Sequence, residues 1–336
     1  MPDARRRRPG LSRRRFLAAS AAAAAALPLR RALSEDGAAT AGPAPEPEPA
    51  DVLEAEMPTR PLGRTGERVS LLALGGHPLG RLADEELAVR IVQRALDLGV
   101  TYLDTAPSYS RHRSERRIGR AIRGRRDSVL IATKSYRLPA RAALEELEES
   151  LRALGTDRVD VFQIHAVGDA EDRAAKLDPE DGVLAAALRA KEQGKVRFIG
   201  VTGHFDPEVM AGCLDLHDFD TALLPVNCAD PLHRSFVTGT LPRARAKGVA
   251  VVAMKVFAAG KLVAGESPRA SVEECLRYAL GQDVATATAG FDSIAQLEAD
   301  VRVVKAYRPL PEAAQTALVE RQEPHPGTAL EWYKRD

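Results

Sequence analysis

From Leu62 onward one pattern repeats eight times: a short apolar run of strand character, then a longer stretch with helical spacing. The strand-like runs fall at 70–75, 100–104, 128–133, 159–164, 196–201, 221–226, 249–254 and 284–288. Between them apolar residues recur every three or four positions. Leu87, Ile91, Ala95 and Leu98 form one stripe, Leu144, Leu147, Leu151 and Leu154 another, and Ile294, Leu297, Val301 and Val304 a third. A helix that crosses the sheet returns the chain parallel to the strand it left. Eight such units predict an α/β fold, a closed (β/α)8 barrel, preceded by a β-hairpin at 62–69 whose turn is set by Gly66. An open doubly wound sheet is the competing architecture. The turn Gly75-Gly76-His77-Pro78-Leu79-Gly80 argues against it, because it lacks the G-x-G-x-x-G spacing.

Boundary chemistry agrees. Gly99, Gly194 and Gly248 each fall between a helical stretch and the next strand, where a left-handed cap is wanted. Asp206-Pro207 is an N-cap followed by proline at the first helical position, and Ser271…Glu274 and Ser293…Gln296 have the capping-box spacing. The TIM-type barrel is expected over 57–306, with 307–336 as a C-terminal tail.

The first 56 residues do not continue this pattern. Ser12-Arg13-Arg14-Arg15-Phe16-Leu17 has the twin-arginine form and opens a 14-residue apolar stretch, too short to span a bilayer. Residues 1–34 are therefore expected to be a twin-arginine signal peptide. Residues 35–56, with Gly-Pro-Ala-Pro-Glu-Pro-Glu-Pro-Ala at 42–50, are expected to be a Pro-rich linker, the two together forming a disordered leader. This places the folded protein outside the cytoplasm, periplasmic or secreted. The twin-arginine export machinery would be a partner, and the signal its only membrane contact. The net charge of +1 hides an asymmetry, since 1–31 hold nine Arg and one acid, leaving 39 basic against 46 acidic residues in 32–336. An acidic body does not favour nucleic-acid binding. Cys213, Cys228 and Cys275 are too widely spaced for a metal or redox motif.

Four polar residues sit where strand-like runs end or just beyond: Asp104, Tyr109, Lys134 and His165. The C-terminal ends of barrel strands share one face, so these groups are expected to converge there. A phenol beside an ammonium and an imidazole is suited to donating a proton to a carbonyl oxygen.

Several segments carry a family resemblance. Tyr102-Leu103-Asp104-Thr105-Ala106-Pro107-Ser108-Tyr109 resembles the D-T-A-x-x-Y segment of the aldo/keto reductase family. Ser114-Glu115-Arg116-Arg117-Ile118-Gly119 resembles the S-E-x-x-I-G that follows it. Ile131-Ala132-Thr133-Lys134, Asp160-Val161-Phe162-Gln163-Ile164-His165 and Gly194-Lys195-Val196-Arg197-Phe198-Ile199-Gly200-Val201 resemble the next three segments, in order. The likeness runs from about Thr59 to Lys305. It implies a nicotinamide-dependent oxidoreductase that reduces an aldehyde or ketone to an alcohol, or runs the reverse, in which Tyr109 is the general acid/base. Lys134, paired with Asp104, would lower the Tyr109 pKa, and His165 would orient the carbonyl and support proton transfer. The same resemblance implies cofactor contacts at Gly76, Asp104, Thr202, Cys228, Lys255, Gly290, Ser293, Gln296 and Asp300, with NADP(H) preferred to NAD(H). Asn227 and His204 adjoin these positions, and Met254 stands where many members have a Tyr.

Other readings differ in class. A nucleotide-bound redox sensor with little turnover is one, motivated by Gly203 and Cys228 standing where the family commonly has amide side chains. A Schiff-base lyase is another, since Lys134 and Lys255 both end strands. The eight arginines between Arg111 and Arg126 suit a solvated helix face, with Arg111 or Arg113 as the alternative steering site for an anionic substrate.

Overall fold

A computed structural model describes residues 52–266, 268–323 and 329–334. The expected signal at 1–34 and the linker as far as Asp51 lie outside the described residues. The hairpin pairs β1 (Thr59–Pro61) with β2 (Arg68–Ser70), antiparallel, Thr59 opposite Ser70. Then follow β3 (Leu72–Gly75), β4 (Tyr102–Asp104), β5 (Leu130–Ser135), β6 (Val159–Ile164), β7 (Val196–Thr202), β8 (Thr221–Pro225), β9 (Ala250–Met254) and β10 (Thr286–Ala289). Strands β3 to β10 are parallel neighbours in chain order, and β10 closes on β3.

Helices alternate with these strands, the longer ones being Glu85–Asp97, Ala140–Leu154 and Ile294–Lys305. Each turns its apolar stripe inward, as Ile91, Ala95 and Leu98, then Leu147, Leu151 and Leu154, then Leu297, Val301 and Val304 are buried. Gly99, Gly194 and Gly248 have positive φ between helix and strand. The Ser271…Glu274 capping box forms in both directions. At Ser293 only half forms: its side chain accepts from Gln296 N, while Gln296 Oε1 turns to Asp292 N at 2.9 Å.

Most strand limits shift by one or two residues from expectation, and two of the shifts bear on the site. Ser70 pairs within the hairpin, so the first barrel strand begins at Leu72. β5 runs on to Ser135, because Lys134 and Ser135 still pair with Gln163 and Ile164 of β6. Lys134 thus lies inside a strand.

The barrel interior holds Leu62, Val69, Ala73, Tyr102, Leu130, Ala132, Val161, Leu223, Ala250, Val252 and Ala285. Leu62 and Val69 come from the hairpin and close the N-terminal end. Gly63 permits that closure, since a Cβ there would meet Ala250 N and Gly248 O at 2.8 Å, and its φ is +55°. The body extends past both expected limits. Leu53 packs on the core and its carbonyl accepts from Lys305 Nζ, so 52–56 are not spacer. Glu312–Glu320 is helical with Leu318 buried, and Leu330 and Tyr333 are buried again. Among the described residues no helix is long and apolar enough to cross a membrane.

Candidate active site

Side chains alternate along a strand. With Tyr102, Ala132 and Val161 filling the interior, Asp104, Lys134 and Gln163 also point inward, one layer nearer the C-terminal rim. Lys134 Nζ donates to Asp104 Oδ2 and Thr105 O, each at 2.7 Å, and Gln163 Nε2 donates to Asp104 Oδ1 at 2.9 Å. All three are buried. Gly200 makes room for Gln163, whose Cγ would lie 3.0 Å from a Cβ there. Both oxygens of the buried carboxylate are thus satisfied, as a charge away from water requires.

Tyr109 and His165 complete the group from the loops. Lys134 Nζ lies 3.3 Å from the Tyr109 hydroxyl. The His165 ring stands edge-on to Tyr109 with centroids 6.5 Å apart, and His77 meets the phenol from another side at 5.3 Å. Tyr136, about half exposed, leans on His165 at 5.6 Å. The four residues singled out in the sequence are therefore brought together.

Electrostatics correct one expectation. Burial raises the Tyr109 pKa above its ordinary 10 and outweighs the lowering by Lys134, while Asp104 pushes the same way as burial. The ammonium lies 2.7 Å from a carboxylate that cancels much of its field at the phenol. Burial alone would pull Lys134 down, but Asp104 and Tyr109 outweigh it and hold it raised, as a firm ammonium. Burial, then the cations Lys134, Lys176 and Lys255 with His204, push His165 well below 6.5, so its imidazole is neutral at physiological pH. The arrangement is a protonated phenol next to a fixed positive charge and a neutral imidazole. That suits giving a proton to an oxygen on which negative charge develops.

The expected cofactor positions divide. Lys255, just past the end of β9, is partly buried, and burial lowers its pKa. Its ammonium faces the Trp332 and Tyr333 rings at 5.8 and 5.3 Å, and it has no carboxylate in its ion pairing among the described residues. Such a cation is suited to an anionic ligand. Thr202 is buried at the end of β7. Gly290 and Ser293 lie between β10 and the helix Ile294–Lys305, where Ser293 caps Gln296 N. Gln296 is spent on Asp292 N, and Asp300 is buried within the helix. Gly76 is packed, as a Cβ would meet Ser114 Oγ at 2.5 Å and Asp104 O at 2.9 Å.

Cys228 is the clear correction. It is fully buried and packs in the outer hydrophobic core, as does Cys275, away from the residues that line the barrel interior. Neighbouring Asn227 is also committed: its Nδ2 donates to Glu331 Oε1 at 3.1 Å and Tyr333 Oη at 3.0 Å. The C-terminal segment occupies this side of the rim. Lys334 Nζ bonds Asp230 Oδ1 at 2.8 Å and Glu331 Oε2 at 2.6 Å, all three side chains buried.

Sequence reasoning overlooked Gln163 as a site residue, although its place two residues before His165 on one strand face was the signal. His77 and the residues 330–334 carried no local signal. The arginine-rich segment is largely engaged, with Arg120 on Glu85 and Glu86, Arg125 on Asp97 and Arg126 on Asp160, while Arg111 and Arg113 are exposed.

A model of the aldo/keto reductase family matches residues 71–274. L-galactose dehydrogenase of Arabidopsis thaliana is 27% identical over 285 residues, 73% of this chain and 87% of that protein. An aldo-keto reductase of Bacillus subtilis is 32% identical over 188 residues, 51% of this chain and 52% of the relative. The structure of an aldo-keto reductase from Bacillus halodurans in its holo form superposes with a TM-score of 0.69 at 26% identity, covering 82% of this chain and all of that one.

Proposed function

Because this chain belongs to the aldo/keto reductase family, we propose that it reduces an aldehyde or ketone with a nicotinamide nucleotide, Tyr109 serving as proton donor. One observation carries the reading: Lys134 Nζ, 2.7 Å from Asp104 and 3.3 Å from the Tyr109 hydroxyl, at the barrel rim. The residues present fit the nucleotide, since Lys255 is a partly buried ammonium without a carboxylate partner among the described residues, matched to its phosphates. Thr202, Gly290 and Ser293 would line the rest of its site. When bound, the nucleotide supplies the hydride and the protein supplies position and charge.

The protein's part is acid catalysis. The Tyr109 hydroxyl donates its proton to the carbonyl oxygen, and the Lys134 ammonium stabilises the phenolate left behind. Neutral His165 orients that oxygen without competing as an acid. Asp104 and Gln163 keep Lys134 in place. The raised Tyr109 pKa keeps the resting phenol protonated, the form that reduction requires.

The nucleotide we propose is NADP(H), carried over from the family resemblance, with Gln296 and Asp300 supplying no cation to a 2′-phosphate. The deciding experiment measures steady-state turnover and nucleotide Kd with NADPH and NADH for wild type and Tyr109→Phe. The expected outcome is a loss of about 10²-fold or more in kcat with Kd retained, and NADPH favoured by no more than about 10-fold. Wild-type-like turnover in the variant would falsify the tyrosine assignment. Chemistry confined to a single turnover in wild type would instead support the sensor reading. We propose further that the chain is exported folded through its twin-arginine signal. Cell fractionation of the full chain should show Arg13→Lys with Arg14→Lys retained in the cytoplasm, and unchanged export would end the idea.

A further inference from the structure

Tyr109 is followed by three consecutive residues in the left-handed region: Ser110 (φ 56°), Arg111 (φ 54°) and His112 (φ 62°). None is glycine. A side chain in that region crowds the following carbonyl, so such a run persists only where its surroundings over-determine it. The backbone contributes His112 N–H to Pro107 O at 2.8 Å and Arg113 N–H to Ser110 O at 3.2 Å. It also contributes Tyr109 N–H to Ala106 O at 3.0 Å and Ser110 N–H to Ser108 O at 2.9 Å, and the His112 ring adds two side-chain contacts. Its Nδ1 lies 2.5 Å from Glu115 Oε2 and its Nε2 3.4 Å from Glu149 Oε2. Glu115 is fully buried, and its other oxygen accepts from Thr133 Oγ1 at 2.6 Å. Thr133 immediately precedes Lys134 in β5. One carboxylate therefore ties the turn behind Tyr109 to the strand that carries Lys134.

We propose that His112 is a positioning residue: as an imidazolium paired with Glu115, it holds the left-handed turn that aims the Tyr109 hydroxyl at Lys134. The inference rests on the reading of Tyr109 as proton donor, and His112 itself acts only through that residue. A carboxylate removed from water needs a paired cation, and His112 is the one in contact with Glu115. The charged groups facing the ring are all acidic: Glu115 from its own helix, and Glu149 and Glu146 from the helix Ala140–Leu154. The neighbouring arginines turn elsewhere, Arg113 to Gly80 O and Arg116 to Arg111 O. The hydrogen bond to Glu115, against partial burial, raises the His112 pKa above 6.5. A raised folded value means the pairing is complete at low pH and is lost as pH rises through that value.

The test is the pH profile of kcat for wild type, His112→Asn, Tyr109→Phe and the double variant. Asn tolerates the left-handed region and keeps a neutral donor, but it does not titrate. Wild-type kcat should fall at a pH above 6.5 and below the titration of Tyr109 itself. H112N should lose that limb and turn over about 10-fold more slowly near pH 6, with nucleotide Kd unchanged. Added to Y109F, it should cost less than about 2-fold, since the residue it positions is gone. A variant that keeps the wild-type profile overturns the proposal, as does an equal cost in both backgrounds. Should H112N fail to fold, the wild-type profile alone decides, and the absence of that limb defeats the idea. A fully active Y109F enzyme would defeat the underlying tyrosine reading as well, whereas a Tyr109-dependent enzyme indifferent to His112 defeats this inference alone.

Discussion

Tyr109 shows how burial and a neighbouring charge compete at one side chain. Proximity to Lys134 suggests a depressed pKa, yet the phenol is raised, because burial and then the Asp104 carboxylate outweigh the ammonium. The consequence has a sign. A general acid works only while protonated, so reduction should be insensitive to Tyr109 titration up to about pH 10. An alkaline limb below that value should survive any change in Tyr109 ionisation and belong to another group. The check is a kcat profile with the phenol perturbed by fluorotyrosine at position 109. A limb below pH 10 that follows the fluorine-induced change in phenol pKa would contradict the raised value.

Among elements, the packing of the helix Arg113–Ala121 on Ala140–Leu154 is unusually close at one residue. A Cβ on Gly119 would lie 2.4 Å from Leu154 O and 2.6 Å from its carbonyl carbon, both backbone atoms that cannot swing aside. Gly119→Ala should therefore destabilise the fold by about 1–3 kcal/mol, despite the better helix propensity of alanine. Urea denaturation measures this, and an unchanged midpoint would show that the two helices can part without cost. The motif Ser114-Glu115-x-x-Ile118-Gly119 is thereby explained one residue at a time. Ser114 bonds Thr105 at 2.9 Å, Glu115 anchors His112 and Thr133, Ile118 is core, and Gly119 permits the approach. Its glutamate would be unremarkable in sequence as a helix surface charge, and only burial against β5 gives it a task.

Across the whole molecule, the C-terminal segment shuts part of the rim that the barrel strands leave open. Lys334 neutralises two buried acids, Asp230 from the β8 side and Glu331 from its own segment, and Tyr333 joins Asn227 to the same cluster. Removing the cation strands both carboxylates, so Lys334→Met should cost about 3–5 kcal/mol of stability. Thermal unfolding of that variant checks it, and an unaltered midpoint would mean the cluster is dispensable. The tail's short apolar runs gave no hint of this docking, because the contacts that seat it, Asn227 with Glu331 and Tyr333 and Asp230 with Lys334, pair residues about a hundred positions apart.

Periodicity and end chemistry were sufficient for the barrel, since a strand's alternation, a helix's stripe and a glycine cap are written in neighbouring residues. They also brought Asp104, Lys134 and His165 to one rim, because parallel strands put all their C-terminal ends on the same face. Closure of the barrel decided the rest. It set how far each group is dried, which reversed the expected pKa of Tyr109. It buried Cys228 in the outer core, gave Gln163 and His112 their partners, and seated residues 330–334 on the rim. Dielectric, orientation and long-range contact are properties of the packed whole, and no local pattern encodes them.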